Sequence, residues 1–144
     1  MSLKTWKVEF YPVPADQVSK ADALDHSIRK WEGLTKINLK KHGLIVDGTE
    51  LSEHGNADSE SFFVDAESCA LCANYQHRTG VGVGWSCGEC PLFLLRGGMC
   101  CESVGRELSS PFDKFDARND PIPMLNLLKR AKVRGAIRGK AAGG

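Results

Sequence analysis

All six cysteines of the 144-residue chain fall between Cys69 and Cys101. They stand as Cys69-Ala-Leu-Cys72, fourteen residues, Cys87-Gly-Glu-Cys90, nine residues, then Cys100-Cys101. A Cys-x-x-Cys pair puts two sulfurs on one tight turn, where both can reach one ion at about 2.3 Å. The N–H groups of that turn favour the thiolate over the thiol. Two such pairs about fifteen residues apart match the spacing of a four-cysteine zinc site, short by one residue. Gly88 suits the second turn, and Gly80-Val-Gly82-Val-Gly84 lets the two turns fold back on each other. The spacing therefore predicts one Zn2+ per chain, held by four sulfurs drawn from Cys69, Cys72, Cys87, Cys90 and Cys100.

Alternatives remain within the same window. Cys100 or Cys101 would replace a member of the second pair in a different ligand set, and His77 is a further candidate. An iron–sulfur cluster takes the same ligand type. A redox role for Cys100 or the adjacent Cys101 is the third reading. A set of four thiolates closes the coordination sphere and leaves no position for substrate, so the pattern favours a structural metal over a catalytic one. The chain has no nucleophile elbow, no His-Glu-x-x-His and no Ser-x-x-Lys, so no enzyme class is assigned. The glycine run is not followed by the Lys-Ser/Thr of a phosphate loop. His26, His42, His54 and His77 are scattered.

Short elements must position these cysteines. Trp6, Val8 and Phe10 alternate with Lys7 and Glu9, which predicts a strand or extended arm ended by Pro12 and Pro14. Ser19 opens a helix whose stripe is Ala21, Leu24, Ile28 and Trp31, with Gly33 as a left-handed stop. A second short helix spans Lys36 to His42. Asp47-Gly48 between Leu44-Ile-Val46 and Leu51 predicts a β-hairpin. Ser61 to Asp65 forms a third strand leading into Cys69. Ser110-Pro111 opens a helix with Phe112 and Phe115 facing inward. Asp120-Pro121 opens another, with Met124, Leu125, Leu128 and Ala131 as its stripe to about Arg134. The fold class expected is α+β: a small zinc-stapled domain over 1–134 with a short hairpin, Cys-x-x-Cys knuckles and several short helices. Residues 135–144, after Gly135, are expected to form a flexible basic tail.

The net charge of +1 hides an asymmetry. Lys129, Arg130, Lys132, Arg134, Arg138 and Lys140 lie in a final segment without acids, while the first 128 residues carry 13 bases against 18 acids. An acidic body argues against nucleic acid wrapping the whole domain, whereas the basic segment could touch phosphate or an acidic partner. Seven acids and no Lys or Arg lie from Asp47 to Glu67, a solvated face or one that attracts a basic partner or a divalent cation. No apolar run approaches the roughly 18 residues of a membrane span. Met1-Ser-Leu-Lys-Thr-Trp6 lacks an apolar signal core, so a cytoplasmic location is expected. In that reducing compartment clustered cysteines bind metal or do redox chemistry rather than form structural disulfides.

Ser68-Cys69-Ala-Leu-Cys72, Cys87-Gly-Glu-Cys90-Pro91-Leu92, Cys100, Ser110-Pro111-Phe112 and Asp120-Pro121-Ile-Pro-Met124 recur in a familiar order. With Trp6 to Pro14 and Lys30-Trp31, they make the chain resemble small cysteine-rich proteins encoded by phages and prophages. The resemblance covers most of the chain. It implies a viral accessory protein acting in a host bacterial cytoplasm on a host or viral macromolecule, and it attaches no activity. Cys101 is extra to that pattern. The functional expectation is a non-enzymatic zinc-binding interaction protein, with a zinc-ribbon-like nucleic-acid binder and a thiol redox or iron–sulfur protein as alternatives.

Overall fold

Ser2 opens the first helix of the computed structural model, which describes residues 2–55, 60–64, 68–75, 77, 78, 85, 86, 91 and 111–143. The Ser2 hydroxyl accepts the Thr5 N–H and the Thr5 hydroxyl accepts the Ser2 N–H, a reciprocal cap that launches α1 (Leu3–Phe10). The strand expected here is thus a helix. Leu3, Trp6 and Phe10 are buried on one face, and Val8, the middle member of the apparent alternation, is 67% exposed. A 3.6-residue period accounts for all four residues, while a two-residue period puts Val8 on the wrong side.

A 3-10 turn (Ala15–Gln17) leads to α2 (Lys20–Glu32), whose N-cap Ser19 accepts from Asp22 N. The buried stripe of α2 is Ala23, Ser27, Ile28, Lys30 and Trp31, rotated from the expected one because polar Ser27 and Lys30 occupy core positions. Gly33 closes α2 at φ −65°, so it is not the left-handed stop expected. Its bareness has another cause. Phe10 lies against it, and a methyl added at Gly33 would stand 2.5 Å from Phe10 Cγ. Trp6 Nε1 donates to the Gly33 carbonyl at 2.8 Å in the same contact.

After α3 (Lys36–Lys41), β1 (Leu44–Asp47) and β2 (Glu50–Glu53) form the expected hairpin. Asp47 pairs with Glu50, so the two-residue loop is Gly48-Thr49, with Gly48 at φ +59°. Glycine at the first loop position is the requirement of a type II′ turn. β3 (Phe62–Phe63) adds to β2, giving an antiparallel sheet of order β1-β2-β3. α4 (Ala70–Tyr75) follows, then β4 (His77–Arg78) and β5 (Trp85–Ser86), paired antiparallel.

α5 (Pro111–Arg118) and α6 (Ile122–Gly143) complete the described residues. Trp31 of α2 packs edge-on to Phe115, ring centres 4.8 Å apart, and Met124, Leu125, Leu127, Leu128 and Ala131 bury the inner face of α6. The helix does not stop near Arg134: it runs through Gly135 and Gly139. A glycine inside a helix costs only about 1 kcal/mol relative to alanine, and the surrounding Ala and Lys residues favour helix. The elements are those of an α+β protein. Among the described residues no helix is long and apolar enough to cross a membrane.

Candidate metal centre

Cys69 and Cys72 lie at the start of α4, which is held in place from two sides. Ala70 and Leu71 are buried against the rest of the core, and α4 packs on α2. Asn74 Nδ2 donates to Val18 O at 2.9 Å and to Ala70 O at 2.8 Å, tying the helix to the segment before α2. Ala73 N donates to Cys69 O, so Cys69 stands where an N-cap stands. The Cys72 N–H points at Cys69 Sγ, 3.4 Å away. Both cysteines are half-buried and unbridged.

A lysine reaches this turn from below. Lys30 is 1% exposed, and its Nζ donates to Ser68 O at 3.0 Å, with Ser68 Oγ at 3.5 Å. The ammonium also lies 5.7 Å from the centre of the Trp31 ring. Together these groups pull the Cys69 thiol down to about 5. The hydrogen bond with the Cys72 side chain contributes most; burial opposes it; the Lys30 charge and the Cys72 and Leu71 N–H groups add to the fall. At neutral pH Cys69 is therefore a thiolate sharing the Cys72 proton. That is the chemistry of a half-site for a thiophilic cation: two sulfurs on one turn, one already ionised.

The remaining candidate ligands Cys87, Cys90 and Cys100, and Cys101 with them, lie outside the described residues. The two residues before Cys87, Trp85 and Ser86, are described. β4 and β5 pair with His77 opposite Ser86, and Ser86 immediately precedes Cys87 in sequence. This antiparallel return brings the approach to the second Cys-x-x-Cys beside the exit of the first. Among the described residues no group of three or more His, Cys, Asp or Glu could hold a metal, and Cys69 and Cys72 are the cysteines described.

The basic segment is divided by the structure. Lys132 Nζ lies 2.8 Å from Asp25 and Lys129 Nζ 4.0 Å from Glu32, so both pair with acids of α2. Arg130 and Arg134 are exposed on α6. Arg138 and Lys140 belong to the same helix, but their side chains lie outside the described residues. The acidic stretch 47–67 is also partly engaged. Glu50 Oε1 accepts from Ser61 Oγ at 2.6 Å, and Glu53 Oε1 accepts the Leu3 N–H at 3.0 Å.

Sequence reasoning missed Lys30. Hydropathy assigns a lysine to solvent, and its place on the face α2 turns to the core emerges only from the fold. A second missed cluster joins α1 to α3. His42, 6% exposed, contacts Thr5 Oγ1 through Nδ1 at 2.9 Å and Glu9 Oε2 through Nε2 at 2.7 Å, and Lys41 also reaches Glu9. No family model, curated protein or solved structure matches the chain.

Proposed function

We propose that the chain is a non-enzymatic zinc-binding interaction module, in which the metal staples the segment Cys69 to Cys100 onto a helical body. The turn at Cys69 carries this reading: two unbridged sulfurs on one turn, the Cys72 N–H aimed at Cys69 Sγ, and a Cys69 thiol drawn well below the ordinary range, chiefly by its hydrogen bond with Cys72. The pairing of β4 with β5 supports closure by the second Cys-x-x-Cys. Cys69 and Cys72 would supply one half of the ligand set, and two of Cys87, Cys90 and Cys100 the other. Zinc would contribute folding energy here rather than a reactive water, because a four-thiolate set leaves no open position. The resemblance to phage- and prophage-encoded proteins supports a host or viral macromolecule as the partner, met in a bacterial cytoplasm.

Cobalt(II) titration of metal-stripped protein tests the reading. One equivalent giving tetrahedral d–d bands and thiolate charge-transfer absorption, lost in Cys69→Ser and Cys72→Ser, is the expected result. Saturation without thiolate bands would overturn it, and iron recovered with acid-labile sulfide would replace zinc by a cluster.

A further inference from the structure

We propose that Lys30 is the built-in counter-charge of the metal centre, a positioning residue that holds the Cys69 end of the ligand set and offsets its excess negative charge. The inference rests on the zinc reading above and adds a residue to it. Four thiolates around one divalent cation form an anionic unit, and an anion half-buried in protein needs compensation. Lys30 is the cation supplied from α2. Its side chain passes through the core beside Trp31 and ends on the Ser68 carbonyl, one residue before Cys69. A carbonyl dipole satisfies one N–H of the ammonium but neutralises no charge. The ammonium ends on the residue before Cys69, so its charge acts at the sulfur end of the turn.

The geometry also gives Lys30 a mechanical part. The Ser68 carbonyl precedes the Cys69-x-x-Cys72 turn, so the bond from Lys30 fixes where the turn begins relative to α2. Ala70 and Leu71, packed in the core, fix where it goes next. Supporting partners outside the ligand shell change metal affinity by about 10- to 100-fold when removed, and Lys30 acts from one residue away, through the Ser68 carbonyl. A methionine at position 30 would fill much the same volume without charge; an arginine would restore charge with a different head.

The test compares zinc affinity, by competition with a chromophoric chelator, and melting temperature with and without zinc, in wild type, Lys30→Met, Lys30→Arg and the exposed control Lys114→Met. Zinc binding by wild type is read first, because its absence would overturn the zinc reading rather than the role of Lys30. The expected result is affinity lowered about 10- to 100-fold in Lys30→Met. Its zinc-induced rise in melting temperature should also shrink, with both effects largely restored in Lys30→Arg and absent in Lys114→Met. A lysine serving only the core would lower the melting temperature equally with and without zinc and leave affinity alone, and that outcome overturns the proposal. Should Lys30→Met not fold, the wild type answers by nitrogen-15 NMR. The Lys30 Nζ resonance is expected to move on adding zinc, and a resonance unmoved at saturation overturns the role.

Discussion

Trp6 Nε1 donates to the carbonyl of Gly33 at 2.8 Å, in a contact where Phe10 occupies the space a side chain at position 33 would need. α1 thereby docks on the end of α2 through a polar bond inside an apolar face. Gly33→Ala forces Phe10 out of place, an overpacking that costs about 1–3 kcal/mol. Trp6→Phe keeps much of the ring but leaves a buried carbonyl without its donor, which costs about 1–3 kcal/mol. Urea unfolding followed by far-ultraviolet circular dichroism checks both. An unchanged midpoint in Gly33→Ala would mean that α1 does not sit on α2 as described.

Asn119 is the non-glycine residue at positive φ, 54°, among those described, and its side chain donates to Gly48 O at 2.9 Å and to Phe115 O at 3.3 Å. It thus ends α5 in the left-handed conformation and latches the helix end to the hairpin loop. Asn119→Gly keeps the backbone and loses the bonds. Asn119→Ala loses the bonds and adds left-handed strain of about 1 kcal/mol. Both variants should melt below wild type, and the alanine variant below the glycine variant; a glycine variant as stable as wild type in a thermal scan would contradict the latch.

Glu9 accepts from Lys41 and His42, and these bonds, Lys41 first and His42 second, hold its carboxyl below the usual carboxylate value of 4.5 against the opposing effect of desolvation. A carboxyl whose folded value is depressed stabilises the fold above its unfolded value and loses that contribution as pH falls through the folded one. The wild type should therefore exceed Glu9→Gln in stability at pH 6, and the difference should fade as pH drops below 4.5. Chemical denaturation across that range measures it, and a difference independent of pH would contradict the pairing. Because a carboxylate only accepts, His42 donates its Nε2–H to Glu9, while Nδ1 lies 2.9 Å from the Thr5 hydroxyl oxygen. Nitrogen-15 shifts of the ring report the proton on Nε2.

Cys69, with its thiol drawn down to about 5 chiefly by Cys72, should be alkylated in metal-stripped protein nearly as completely ionised at pH 6 as at pH 8. Cys72→Ala removes the first of the causes, so the pH profile of that variant should move upward. Peptide mass spectrometry after timed iodoacetamide labelling reads both. A profile for Cys69 centred in the ordinary thiol range would contradict the charge arrangement around the turn.

Much of this was open to reading from the residues. Asp47-Gly48 between apolar runs marked the hairpin, though pairing of Asp47 with Glu50 makes Gly48-Thr49 the loop. The run Met124 to Ala131 marked the inner face of α6. What failed did so for local reasons. Val8 between Trp6 and Phe10 imitates a strand, and the cap that decides for helix uses Thr5 where glutamate or glutamine is the usual signal. Gly135 and Gly139 signal a stop that the helix overrides. At the candidate centre the cysteines announce themselves, but Lys30 does not, because hydropathy assigns a lysine to solvent. A buried ammonium becomes visible only when the fold brings Ser68 and Cys69 to it from 38 residues away.

The central claim is tested most directly by elemental analysis of protein purified without added metal, with free thiols counted before and after chelation. The expected result is one zinc per chain and four thiols that become reactive only when the metal is removed. No metal, with all six thiols reactive from the outset, would contradict it and leave the Cys69–Cys72 turn as a redox dithiol.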